Sequence, residues 1–273
     1  MKWLVEDYDP EGYTGALIQY LEESGRCVKV SGRRNRFNED LSSYYDDSEP
    51  VFVYGSIQFC RQARGREWIS FYDTKPYLCS TYYPIIGVPN MVNSDHWILP
   101  TYLMERMMWG VRTEGGTKLF VRPNSGDKLF TGDVFDLISP HSQWHRISST
   151  LDPSTLLLCA RPLEVHQEAR FVVDPSSHKI VCGSTYGWDE NLKYENPPKG
   201  AYALASQIVN CSRFCSYYQY PLTLDVAEFS EHGIKQWGVM EIGCVNCSGL
   251  YGSDLQRFVE GMEDYHENQF IRY

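Results

Sequence analysis

No apolar run in this chain reaches the roughly 18 residues that a helix needs to cross a bilayer, so a membrane span is not expected. Net positive charge is missing as well: 25 Lys and Arg stand against 35 Asp and Glu, a formal balance of −10. Such a surface repels nucleic-acid phosphate, and a nucleic-acid partner is not expected. An anionic small ligand stays possible if cations are concentrated in its cleft. Cysteines are present without a framework. There are nine, an odd count, and only Cys244 and Cys247 share the C-x-x-C spacing, with no second pair and no neighbouring His. A structural zinc site needs four ligands, so reduced buried thiols are expected instead. The opening Met1-Lys2-Trp3-Leu4-Val5-Glu6-Asp7 meets acids too early for a signal peptide, and a cytoplasmic location is expected. Internal repeats and low-complexity tracts are also missing.

What is there suits a folded chain. Its 273 residues are 42% apolar, enough for a sizeable core, and 20 are tyrosines, which suit half-buried positions. Residues 3–5 read as a buried strand. Tyr13, Leu17, Tyr20 and Leu21 recur at helical spacing, Gly25 closes that helix, and residues 27–30 form a second strand. Strand, helix and strand within so short a span predict a right-handed crossover and a parallel sheet. Residues 32–50 are a polar loop or weak helix. Residues 51–54 form a strand that turns at Gly55-Ser56 into a helix from Ile57. That turn is either an anion seat, Ser56 included, or a plain N-cap. Residues 66–95 look irregular and aromatic, and residues 96–110 look helical, with Trp97, Leu99, Leu103 and Met107 for packing. Further strands are expected at 118–121, 156–159, 222–226 and 237–242, and a hairpin at 169–182 around Asp174-Pro175-Ser176-Ser177. Helices should follow Pro197-Pro198 and Asp254, the latter with Leu255, Phe258, Val259 and Met262 as its apolar stripe.

Four groups of residues have the makings of a site. In Phe120-Val121-Arg122-Pro123-Asn124-Ser125-Gly126-Asp127-Lys128-Leu129-Phe130-Thr131-Gly132, a strand delivers Arg122, and a loop with two glycines carries Ser125 and Lys128. Glycines let backbone amides approach phosphate while cations offset its charge, although the Walker ending is absent and a polar hairpin reads equally well. Glu168 and Arg170 share one face of a strand, as an ion pair or as a cation aimed at phosphoryl charge. Asp225 and Glu241 each lie eight residues from Gly233. A hairpin about that glycine sets them opposite, where they repel unless a cation sits between, and magnesium binds in such a way. The alternative is two acids in water. Ser248-Gly249-Leu250-Tyr251 is a turn whose amides, near Ser248, Gly249 and Tyr251, suit a substrate carboxylate.

The order of these pieces resembles the ATP-grasp superfamily. F-V-R-P-N-S-G-D-K-L-F-T-G, E-A-R-F-V-V, T-L-D-V and S-G-L-Y are similar to a branch found in phages and bacteria, in which arginine stands for the first phosphate-binding lysine. The resemblance implies an α/β and α+β fold, with residues 1–95 an α/β lobe and 96–273 the ATP-grasp core, and a nucleotide held between two α+β lobes. It implies ATP contacts from Arg122, Ser125, Lys128, Glu168, the backbone of residues 158–161 including Cys159, and Glu164 at the ribose. Arg170 and Arg122 would be catalytic, steadying the transferred phosphoryl group. Asp225 and Glu241 would hold magnesium. The family's further metal-ligating Asn is replaced by Gly243, and Asn246 is the nearest substitute. The implied activity is ATP-dependent joining of a small-molecule or peptide carboxylate to an amine through an acyl-phosphate. The alternatives are a catalytically weak ATP-binding regulator and an ATP-dependent phosphotransferase.

Overall fold

A computed structural model describes residues 1–9, 11–32, 41–46, 48–63, 66, 68–104, 118–136, 139, 142–186 and 195–270. Contacts divide the chain into two compact units. The first holds Met1–Asp73, Gln167–Ala227 and Glu241–Tyr273; the second holds Thr74–His166 and Glu228–Met240. Residues 74–95, counted by sequence with the N-terminal lobe, therefore fall in the second unit.

The first unit starts as the apolar pattern predicts. Strands β1 (Lys2–Asp7), β2 (Val28–Gly32) and β3 (Val51–Tyr54) are parallel in the order β2-β1-β3, with Trp3 between Val28 and Phe52. β1 is covered on both faces, hence its unbroken apolar run. Helix α1 (Tyr13–Glu23) makes the crossover and buries Leu17 and Leu21. The last helix of the chain, at Leu255–Phe270, brings Phe258, Val259 and Met262 onto the same core beside Trp3, Val5 and Phe52. The amide of Arg257 donates to the Asp254 carboxylate at 3.0 Å, so Asp254 caps that helix as expected.

The second unit contains an antiparallel sheet of order β4-β7-β5-β6, from β4 (His96–Pro100), β5 (Lys118–Pro123), β6 (Asp133–Asp136) and β7 (Leu156–Ala160). Residues 96–100 are thus a strand paired with β7, which corrects the helical reading of 96–110. The apolar residues there serve a sheet edge; helix is present only at 101–104, and 105–110 lie outside the described residues. The aromatic stretch also hides helix α3 (Cys79–Ile86), which follows α2 (Ile57–Gln62) and contains Pro84. In so short a helix Pro84 removes one backbone bond, which composition alone reads as a break. Its N-terminus is capped from β5: the Asn124 carbonyl accepts from the Cys79 amide at 2.7 Å and its Oδ1 from the Ser80 amide at 2.8 Å.

A second four-stranded sheet has the order β11-β10-β8-β9, from β8 (Glu164–Asp174), β9 (Lys179–Tyr186), β10 (Leu222–Glu231) and β11 (Ile234–Cys244). The β8–β9 hairpin turns where Asp174-Pro175-Ser176-Ser177 predicted. The β10–β11 hairpin turns on two residues, His232 and Gly233, both with positive φ (51° and 78°), the signature of a type I′ turn. Its centre therefore lies between His232 and Gly233, half a residue before the glycine about which the sequence set Asp225 and Glu241 opposite.

Candidate functional site

The first unit gathers its charge around Arg170 on β8. The guanidinium forms a two-point pair with Asp225 on β10: Nε reaches Oδ1 and Nη2 reaches Oδ2, both at 2.7 Å. Nη1 donates to the Gly249 carbonyl at 3.1 Å. Two tyrosines flank this pair. The guanidinium carbon lies 5.2 Å from the Tyr186 ring centre and 5.0 Å from that of Tyr251, and these rings stack at 4.9 Å, 3° from parallel. The Asp225 side chain is only 4% exposed, so the pair is desolvated and its geometry carries its stability. Burial alone would lower the guanidinium pKa. The charge and hydrogen bonds of Asp225 outweigh that and hold it well above its ordinary value.

Glu168 belongs to the same cluster. It stands across from Tyr186 in the β8–β9 register. Burial first, then the charges of Asp225 and Glu241, raise its carboxyl pKa, while a hydrogen bond from Tyr186 and the charge of Arg170 pull it down. The Tyr186 hydroxyl also donates to Asp225 Oδ2 at 3.2 Å. One phenolic proton thus serves two carboxylates. Glu168 is therefore within electrostatic reach of Arg170, Asp225 and Glu241, and the Gly249-Tyr251 turn is drawn in by Arg170. Tyr186 was missed in the sequence because a bulge between Val172 and Val173 shifts the register and brings it, instead of Thr185, opposite Glu168.

The Ser-Gly turn is pinned from below. The Tyr54 hydroxyl donates to the Ser248 carbonyl at 2.6 Å, and Ser248 Oγ lies 3.0 Å from Thr223 Oγ1. Ser56 caps α2, its Oγ accepting from the Phe59 amide at 3.3 Å, and its own amide donates to the buried Glu6 carboxylate at 2.7 Å. The anion seat suggested for this turn is thus taken by the protein's own carboxylate. Asn246 corrects another expectation. It is fully buried; Nδ2 donates to the Val53 and Ile69 carbonyls at 2.6 and 3.0 Å, and Oδ1 accepts from the Phe71 amide at 2.9 Å. Its amide ties β3 to the following segment, so it has no group left over for a metal.

The second unit presents the phosphate-loop residues in a more open setting. Arg122 is half-buried on β5, donates a long 3.5 Å bond to the Met240 carbonyl and packs against Gly132, where an added Cβ would come within 2.9 Å of its own Cβ. Ser125 Oγ accepts from the Asp127 amide at 3.4 Å, and Lys128 is exposed with φ 51°. Cys159 points into the core with Val121 and Trp144, where burial pushes its thiol up to about 12. Its strand is paired on both sides through Ala160, so the adenine-facing backbone expected at 158–161 can begin only where that pairing ends. Beyond that point Arg161, Pro162, Leu163 and the exposed Glu164 line a cavity of about 300 Å³, closed by Asn93 and His232.

Residues 54–262 match the family described as ATP-grasp domain, R2K clade family 3. The chain belongs to this ATP-grasp family. Solved structures agree on the fold. D-cycloserine synthetase DcsG superposes with a TM-score of 0.60 at 12% identity, over 95% of this chain and 99% of that one. ATP-grasp ligase PsnB with its minimal precursor gives 0.56 at 8%, over 97% and 99%. D-alanine–D-alanine ligase from Bacillus anthracis complexed with ATP gives 0.55 at 12%, over 100% and 98%. Identities this low speak for the fold alone. No curated protein sequence matches the chain. Among the described residues no helix is long and apolar enough to cross a membrane.

Proposed function

We propose that this ATP-grasp chain is an ATP-dependent carboxylate–amine ligase of the phage and bacterial branch in which Arg122 stands for lysine. The observation that carries it is the desolvated Arg170–Asp225 pair, set beside Glu168, Glu241 and the Ser248-Gly249 turn in a chain of this family. In the first step a substrate carboxylate oxygen attacks the γ-phosphorus of ATP, the bond to the β-phosphate oxygen breaks, and ADP leaves. In the second an amine attacks the acyl carbon, phosphate departs with the C–O electrons, and the nitrogen loses a proton. Arg122 and Lys128 bind phosphate oxygens, and Arg170 offsets charge on the moving phosphoryl group. The cavity beside Glu164 takes the ribose side of the nucleotide.

Asp225 and Glu241 are the residues that would hold magnesium. The fit is chemical: the ion takes one or two carboxylates alongside substrate phosphates, and Asp225 Oδ1 keeps a second lone pair while bonded to Arg170, whereas Oδ2 also accepts from Tyr186. When bound, the ion would supply neutralisation of phosphate charge.

A second reading, a nucleotide-binding regulator, draws on Gly243. A Cβ there would lie 2.8 Å from Thr223 Oγ1 and 3.2 Å from Ser248 Oγ, so a ligating side chain would have to displace these hydroxyls. Calorimetric titration with a non-hydrolysable ATP analogue tests what both readings share: binding should weaken in Arg122→Ala, and unchanged affinity removes Arg122 from the site. ADP release that depends on an added carboxylate and amine separates ligase from regulator and from phosphotransferase.

A further inference from the structure

The N-terminal sheet has a switch in strand order to which no ligand has yet been assigned. In an open parallel sheet, ligands bind beyond the carboxyl ends of the strands where the order reverses. Here the chain passes from β1 through α1 to β2 on one side, while β3 pairs on the other, so the reversal lies between β1 and β3. Beyond those ends stand Asp7 and Tyr8 on one strand and Gly55 and Ser56 on the other.

An aromatic wall runs from this point to the Ser-Gly turn. The hydroxyls of Tyr8 and Tyr13 are hydrogen-bonded to each other, and their rings meet edge to face at 5.9 Å. Tyr13 lies 6.3 Å from Tyr251, and a Cβ on Gly249 would come within 3.3 Å of both rings. Tyr251 holds its place at φ 51°, a conformation that costs a non-glycine residue about 1–2 kcal/mol. Backbone strain of this kind persists where surrounding contacts impose it and clusters at ligand sites.

The polarity around this point is negative. Its natural anion seat, the Ser56 amide, is filled by Glu6. One buried oxygen of Asp7 has no hydrogen-bond partner. Burial, then Tyr13, Cys247 and Glu6, raise the Tyr8 phenol pKa, and Asp9 acts in the same direction on Tyr13. Arg170 opposes this at Tyr13, but its charge is committed to Asp225. Two phenols in a mutual bond keep lone pairs for an incoming N–H, and their rings favour a cation.

We propose that Tyr8, Tyr13 and Tyr251 form the subsite for the amine substrate, received as an ammonium group, and that they set its specificity. This rests on the ligase reading. It is tested on the full chain by titration with two probes, L-alaninamide, which carries an ammonium and no carboxylate, and N-acetyl-L-alanine, which carries the reverse. The Tyr8→Phe/Tyr13→Phe double variant keeps both rings and removes both hydroxyls. Alaninamide should bind the wild type and lose about tenfold in affinity in the variant, as expected for lost hydrogen bonds to a charged group, while N-acetylalanine and an ATP analogue bind unchanged. Tyr251→Leu, which removes a ring that faces Tyr13, should also weaken alaninamide. No alaninamide binding to the wild type, an unchanged affinity in both variants, or a loss confined to N-acetylalanine overturns the proposal. Failure of the ATP analogue to bind the wild type overturns the ligase reading instead.

Discussion

Arg170 and Arg122 both stand on strands and both precede candidate phosphate-binding features, yet the two units use them differently. Arg170 is desolvated, held at two points by Asp225 and flanked by two tyrosine rings. Arg122 is half-buried and makes a long bond to one carbonyl, in a loop whose Lys128 reaches solvent. The first cation is part of the fold's own stability. The second is held less tightly by the one long bond it makes to a backbone carbonyl. A cation whose geometry is fixed beforehand suits charge that develops during reaction, and an exposed one suits ground-state binding.

The largest effect should separate these two directly. Removing one partner of a buried pair strands the other charge, so Asp225→Ala or Arg170→Ala should lose about 3–5 kcal/mol in urea denaturation. Arg122→Ala, which strands no desolvated two-point partner, should lose less, about 0.5–2 kcal/mol. Facing carboxylates alone would have predicted that losing Asp225 stabilises the protein, and Arg170 reverses that sign. Equal losses at Arg122 and Arg170 would erase the distinction.

A smaller contrast uses two of the residues with φ 51°, Lys128 in the second unit and Tyr251 in the first. Lys128→Gly should relieve strain and raise stability by up to about 1 kcal/mol. Tyr251→Gly relieves the same strain but removes the ring from Tyr186 and Arg170, and should lower the melting temperature. If both variants are stabilised, the Tyr251 ring contributes nothing to its cluster.

The smallest effect is a pH dependence. Glu168 has its carboxyl pKa raised above the ordinary 4.5 by burial and by Asp225 and Glu241. A carboxyl raised in the folded state favours folding while protonated, and that contribution is lost as pH rises through the folded value. Glu168→Gln should therefore be more stable than wild type at neutral pH, with the difference vanishing below the ordinary carboxylate range. Melting curves across that range check it; a difference that grows toward acid would mean Glu168 is stabilised as an anion.

Much of this was legible in the sequence because it rests on short-range periodicity. The parallel start of the chain, the 169–182 hairpin and the final helix with Phe258 and Met262 all follow from spacing and turn chemistry. Glu168 and Arg170 share their surroundings because strands alternate. What stayed hidden depends on single-residue shifts and distant partners. The bulge at Val172 sets Tyr186 opposite Glu168, and the two-residue turn at His232 moves the centre of its hairpin. Asn124 caps a helix 44 positions earlier, and Asn246 is spent on carbonyls nearly two hundred positions away. Tyr13 gains meaning only once the Ser-Gly turn is folded against it, and Tyr8 through its hydrogen bond to Tyr13.

The central claim, an acyl-phosphate made under the charge of Arg170, is tested most directly with hydroxylamine, which captures acyl-phosphates as hydroxamates. The chain is given ATP, magnesium and a panel of carboxylates, and ADP and hydroxamate are measured together. The account predicts hydroxamate in step with ADP for at least one carboxylate, and a loss of about two to three orders of magnitude in Arg170→Ala, as for other donors that stabilise transition-state charge. ADP formed without hydroxamate, or a rate indifferent to Arg170, would contradict it.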